Sequence, residues 1–197
     1  MTSPYDGVPQ AAWSKVTQKL IDAHPLEPKE IVDVVLASWN SIFDSTMGTH
    51  GFKIGKDIFP GPQIMGFFLH EFIPLELGAR YPGIWRTCAA TNEKDIVYVP
   101  DQRFSVEVKT SSNKSRIFGN RSYAQETTGD KKDKSGYYLA VNFEKVQGGG
   151  KIPRVLLIRF GWLDSTDWRG QAAATGQQAS LAPETEAAKL HVLYKAA

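Results

Sequence analysis

The run KDIVYVPDQRFSVEVKT, residues 94–110, decides how the chain folds. Apolar and polar residues alternate on both sides of Pro100, Asp101 and Gln102, the period-two pattern of paired strands joined by turn-forming residues. A three-residue loop at these positions sets Val99 opposite Arg103 and Ile96 opposite Val106. The same count sets Tyr98 opposite Phe104 and Asp95 opposite Glu107. Ile96, Tyr98, Phe104 and Val106 then share a core face, while Asp95, Val97, Ser105, Glu107 and Lys109 share a second face that carries a site. Directly opposed residues have Cβ atoms about 5 Å apart, where two like charges repel unless something positive lies between them. A divalent cation answers that need, and Lys109 projects from the same face about 6 to 7 Å along the strand.

Two carboxylates and a lysine suit phosphodiester hydrolysis. Oxygen-rich sites hold Mg²⁺ through one or two carboxylates and leave positions for water and phosphate. The metal acidifies its water, and the ammonium stabilises charge on the phosphate or orients the water. An acid pair and a lysine can also be only the solvated face of a hairpin. Register favours the site, because it forces the acids together. Asp101 is read as a turn residue and Asp95 as the ligand.

Outward to the N-terminus, the pattern is helical. Trp13, Val16 and Leu20 form a short helix that stops before His24-Pro25. Pro28 opens a second helix with Ile31, Val34, Val35, Trp39 and Ile42 on one stripe. Residues 45–62, rich in Gly and Pro, read as loop. In a third helix Ile64, Phe67, Phe68 and Phe72 share a face, and Pro74 ends or kinks it. Outward to the C-terminus, GYYLAVNF (136–143) and RVLLIRF (154–160) read as strands buried on both faces, separated by Gly148, Gly149 and Gly150, with a last short apolar run, HVLY, at 191–194. The class is α/β (α+β), a mixed central sheet flanked by helices. The chain reads as a single domain over 1–197: a helical part over 1–60, a catalytic core over 63–160 and a packing, dimer or DNA-contact part over 161–197.

Composition narrows the function. The 197 residues, 42% hydrophobic, suffice for one packed core, and 23 basic against 21 acidic side chains give a net charge of +2. Binding to nucleic acid must therefore come from local charge. Cys88 is the single cysteine, which fits a reducing cytoplasm, and no run approaches the ~18 apolar residues of a membrane span. Local charge is present: residues 109–121 carry Lys109, Lys114, Arg116 and Arg121 and no acid. Thr110, Ser111, Ser112, Asn113, Ser115 and Ser122 are short donors for phosphate oxygens. The amides of Asn120 and Gln125 suit adenine, and Arg116 or Arg121 suits guanine, each good pair worth about 1–3 kcal/mol of discrimination. The alternative is a polar loop. Lys131, Lys132 and Lys134, interrupted by Asp133, read as a solvated turn.

Glu71 follows Ile64, Phe67 and Phe68 at helical spacing, on the apolar face. A carboxylate there either pairs with an arginine such as Arg80 or Arg86, or points into the cleft and binds a second metal or a metal-bound water. The segment 161–178, with Trp162, Asp164, Asp167, Trp168 and a Gln cluster, reads as packing or as minor-groove contact; packing is favoured for the tryptophans.

Asp95, eleven residues, then Glu107-Val108-Lys109 resembles the core of the PD-(D/E)xK nucleases, without the proline before the aspartate. EVKTSSNKSRIFGNRSYAQ is similar to the strand and recognition segment of EcoRV-like, blunt-cutting restriction endonucleases. FGNRSYAQ, KSGYYLAVNFEK and IRFGWLDSTDWRGQAAATGQQA resemble the ScaI family, over about residues 49–190. The resemblance implies a restriction-endonuclease-like fold, with Asp95 and Glu107 as metal ligands, Lys109 as catalytic lysine and Glu71 matching a helical acid of related nucleases. It implies a homodimer that cuts palindromic double-stranded DNA with Mg²⁺, leaving blunt ends, in the cytoplasm of a prokaryotic cell. A structure-specific nuclease, resolvase-like, on the same core and a non-catalytic DNA-binding module are the competing readings.

Overall fold

The computed structural model describes residues 2–125, 133–149, 151–173 and 175–197. Lys131, Lys132 and Gly150 lie outside them. Three helices come first: α1 (Trp13–Asp22), α2 (Pro28–Asp44) and α3 (Pro62–Arg80). Strands follow: β1 (Trp85–Thr87), β2 (Ile96–Tyr98), β3 (Val106–Ser111), β4 (Phe118–Asn120), β5 (Gly136–Phe143), β6 (Val155–Leu163), β7 (Trp168–Gly170) and β8 (Gln178–Leu181). A short helix α4 (Pro183–Lys189) and a last strand β9 (Leu190–Lys195) complete the chain.

The main sheet runs β1-β2-β3-β5-β6-β9, and β4, β8 and β7 form a small second sheet. Only β3 and β5 pair in parallel in the main sheet, so it is mixed, as expected. Alternation along the strands sorts the two faces. Val106, Val108, Tyr137, Leu139, Val141 and Phe160 join α1–α3 in the larger core. Tyr138, Ala140 and Leu163 face the small sheet, whose Trp168, Ala179 and Leu181 complete a second core. Trp162 and Trp168 are both buried, so the tryptophans of segment 161–178 are packing residues.

Three expectations are corrected. The hairpin register holds at Ile96 opposite Val106. The return strand, however, begins only at Val106, because Gln102–Phe104 close into a 3-10 turn with the Asp101 carboxylate accepting from Arg103 N–H. The second face of β3 is no solvated surface: Glu107 is 2% and Lys109 9% exposed, beneath the small sheet. Finally, α3 runs through Pro74, which removes one hydrogen bond without ending the helix. Its buried side is Met65, Gly66, Leu69, Ile73 and Leu77, about one residue around from the stripe read from the sequence. Ile64 and Phe67 are 51% and 58% exposed.

Candidate active site

The site is built where β2 meets β3. Asp95 immediately precedes β2, and its Oδ2 accepts the Val108 N–H at 2.7 Å. A side-chain bond thus continues the β2–β3 pairing beyond the Ile96–Val106 rung and fastens the aspartate against the Glu-Val-Lys strand. On β3, Glu107 Oε1 accepts from Lys109 Nζ at 2.7 Å, and the same ammonium donates to Val108 O at 3.1 Å. Period two sends both side chains to one face, where Tyr138 and Ala140 of β5 lie beside them in register. Asp95, Glu107 and Lys109 are thereby brought to one stretch of β3, by the Val108 N–H for Asp95 and by the strand itself for the other two.

Two residues that the sequence reading missed complete the cluster. His70 of α3 brings Nδ1 to 3.5 Å from Asp95 Oδ2. Tyr123, in the 3-10 turn Arg121–Ala124, donates its hydroxyl to Glu107 Oε1, and its ring centroid lies 4.5 Å from Lys109 Nζ. Burial, reinforced by the Glu107 charge, pushes this phenol far above its ordinary pKa and keeps it a neutral donor. A histidine inside an apolar helix and a tyrosine after a basic loop carry no spacing signal toward the acids. A clue to the helix did exist: a Cβ at Gly66 would lie 2.6 Å from Thr110 Oγ1, so this glycine lets α3 approach β3 beside the site.

Glu71 is corrected. It is exposed on the outer side of α3, with Ile64, Phe67 and Leu75, and the residue that turns toward Asp95 is its neighbour His70. Neither expected arginine partner goes to it: Arg80 pairs with Glu76 and Arg86 with Glu93. That second pair, reinforced by the Ala89 N–H, holds the Glu93 carboxyl down at about 2.

A groove of about 600 Å³ opens beside the cluster. His70 and Thr110 reach it from the acid side, with Gln63 and Phe67 of α3, Asn120 of β4, and Lys145 and Gln178 around the rim. No carboxylate is among its lining residues. Thr110, Ser112, Asn113 and Asn120 of the basic segment line it. The other members are placed differently. Lys114 lines a separate groove; Arg116 donates to Leu181 O at 3.1 Å; Arg121 donates to Ala173 O and Gly176 O at 3.0 and 2.8 Å. Ser122 and Gln125 lend carbonyls to Lys134, so Lys134 is a brace and not a solvated turn residue.

The segment is also held from behind. Asn142 donates to Asn113 O and Arg116 O at 2.8 and 3.0 Å, and its own oxygen accepts from Arg159 at 3.0 Å. Arg159 pairs with Glu186 at 2.8 Å, and Glu186 accepts the Ile117 N–H at 3.2 Å. Asn142 and Arg159 appear in the sequence as isolated polar positions within apolar runs, and Glu186 as one acid of the polar stretch PETEAAK. A larger groove, about 910 Å³, contains Arg159 and Glu186; neither groove has Asp95, Glu107 or Lys109 in its lining.

Among the described residues no group of three or more His, Cys, Asp or Glu could hold a metal alone. Two carboxylate side chains, with water and phosphate oxygens in the remaining positions, suit a hard cation such as Mg²⁺. Among the described residues, no helix is long and apolar enough to cross a membrane.

A family model described as ScaI restriction endonuclease matches residues 3–194. A curated relative, the type II restriction enzyme ScaI of Streptomyces caespitosus, is 53% identical over 181 residues, covering 91% of this chain and 79% of the relative. No solved structure matches.

Proposed function

The chain belongs to the ScaI restriction endonuclease family and is a type II site-specific deoxyribonuclease, and from that premise we propose that Asp95, Glu107 and Lys109 are its catalytic set. The observation that carries the reading is their convergence through the Val108 N–H and the Lys109–Glu107 bond, beside a groove that His70 and Thr110 line. Asp95 and Glu107 would hold Mg²⁺, which supplies Lewis acidity at the phosphate and an acidified water. Val108 N–H fixes the Asp95 carboxylate, and Lys109 places a buried ammonium beside Glu107 to stabilise charge developing on the attacked phosphate. Glu71, exposed on the outer side of α3, is left without a first role in this chemistry.

Double-stranded DNA lies in the groove over Thr110, Ser112, Asn113 and Asn120. Arg116 and Arg121 brace this segment by donating to the Leu181 and Gly176 carbonyls, Ser122 and Gln125 by lending theirs to Lys134, and Lys114 adds charge toward phosphate. The whole chain works as one nuclease unit, in the cytoplasm where DNA is met.

A palindrome presents the same bases twice, and each chain carries one such cluster, so two copies cut two strands. The outer face of α3 supports this: Ile64 and Leu75, about three helical turns apart, are each more than half exposed. We read it as the contact with a second copy. The wild-type chain should have a dimer's mass by light scattering and Ile64→Glu with Leu75→Glu a monomer's; equal masses refute this contact.

Incubation with plasmid and phage DNA in Mg²⁺, with EDTA and Lys109→Ala controls, tests the catalytic set. Discrete bands that vanish in both controls support it, and sequencing of the ends gives the site and tests the expectation of blunt cutting. Undiminished cleavage by Lys109→Ala would sink it.

A further inference from the structure

Tyr123 belongs to the strand-and-turn unit that borders the groove. β4 supplies Asn120 to the groove, and the turn Arg121–Ala124 follows directly. From this turn the tyrosine reaches back under the main sheet. Its hydroxyl donates to Glu107 Oε1, the oxygen that also accepts from Lys109 Nζ at 2.7 Å. Its ring face lies 4.5 Å from the same ammonium. One side chain therefore touches both members of the acid–lysine pair, by a hydrogen bond and by a cation–π contact.

The ring is itself fixed. A Cβ at Gly119 would stand 3.0–3.2 Å from its atoms, so any larger residue there presses on the ring. Trp168 meets it edge-on at 5.2 Å and 60°. Lys134 bridges the carbonyls of Ser122 and Gln125 on either side. The buried tyrosines with packing roles send their hydroxyls elsewhere: Tyr137 to Leu20 O, Tyr138 to Lys134 O and Tyr5 to Thr17.

The geometry points to Tyr123 as a positioning residue for DNA cleavage, holding the Glu107 carboxylate and the Lys109 ammonium in place from the turn that follows the groove strand. This rests on the reading of Glu107 and Lys109 as catalytic. A hydrogen-bonded partner fixes the orientation of a metal-binding carboxylate, and losing such a partner costs about 10–100-fold in metal affinity or activity.

Tyr123→Phe keeps the ring and removes only the hydroxyl. We expect kcat to fall about ten-fold and the Mg²⁺ concentration for half-maximal rate to rise about ten-fold. The Kd for duplex DNA measured in Ca²⁺ and the positions cut should be unchanged. Gly119→Ala, which presses on the ring from its other side, should move the same two quantities in the same directions. A thermal melt confirms that each variant is folded. Wild-type kcat and Mg²⁺ midpoint in Tyr123→Phe overturn the inference, and so does a loss of Ca²⁺-supported binding with kcat kept, which would make Tyr123 a DNA contact. If Lys109→Ala and Glu107→Ala both cleave normally, the catalytic reading itself falls. If they are dead while Tyr123→Phe is normal, only the positioning role falls.

Discussion

Two lysines in this chain sit in nearly the same company. Lys109 lies 2.7 Å from Glu107 and 4.5 Å from the Tyr123 ring, with Asp95, just before β2, bound to the Val108 N–H beside it. Lys189 lies 2.7 Å from Asp164, 2.9 Å from Asp167, and 4.1 and 4.5 Å from the rings of Tyr5 and Trp13. Each cluster has one lysine, two acids and an aromatic face. What separates them is their surroundings. The Lys189 cluster joins the N-terminal segment, the turn after β6 and the end of α4: Lys189 is 2% exposed, and burial pushes the Asp167 carboxyl up against the pull of Lys189. The Lys109 cluster stops at a groove that His70 and Thr110 line. On the proposed reading, the same chemistry is a clamp where it ties three segments together and a site where it adjoins the groove.

The largest expected effect tests the Lys189 cluster. Lys189→Met leaves two buried acids without their cation and should cost about 3–5 kcal/mol in denaturant unfolding, with kcat unchanged at temperatures where the protein is folded. Cleavage lost in step with a preserved fold would break the comparison. At the other cluster Lys109→Ala should lower kcat about 10²–10³-fold. Mg²⁺ should raise the melting temperature of Lys189→Met, whose Asp95–Glu107 pair is intact, and leave that of Glu107→Ala unmoved.

His24 supplies a third condition, burial without a charged partner. Its Nδ1 accepts the Leu26 N–H, so Nε2 carries the proton and donates to Phe104 O at 3.0 Å, within a ring of Trp85, Phe104, Tyr137 and Phe160. Burial lowers its pKa from 6.5 to about 4. The unfolded chain then binds the proton more readily, so stability is full above the unfolded value and falls as pH drops from 6.5 toward 4, by about 3 kcal/mol. Unfolding curves across that range should show the slope, and His24→Leu should flatten it. The smallest effect belongs to Gly66→Ala, which pushes α3 away from Thr110. Stability should drop by about 1 kcal/mol and kcat severalfold, a local change visible in kinetics before melting.

Legibility followed period and register. A continuous apolar run gave β5 to the residue and helical spacing gave α1 and α2 nearly so, and the loop count that set Ile96 opposite Val106 also set Asp95 opposite Glu107. The stripe on α3 misled because that helix is apolar on two sides. Met65, Leu69 and Ile73 go to the core, and Ile64, Phe67 and Leu75 are left outside, taking Glu71 with them. A hydropathy pattern reports how apolar each side is and does not say which one the sheet covers.

The sequence by itself determined the mixed α/β class, the acid–lysine strand and the acid-free segment after it, since all of these are set by neighbours within a few residues along the chain. Only the tertiary structure decided that His70 and Tyr123 join the cluster, that Asn142, Arg159 and Glu186 hold the basic segment from behind, and that Lys189 is a clamp. Those groups come from positions up to 189 in chain order and meet only when the helices and the small sheet close on opposite faces of the main sheet. Burial then fixes which charges must be paired and which can await a ligand.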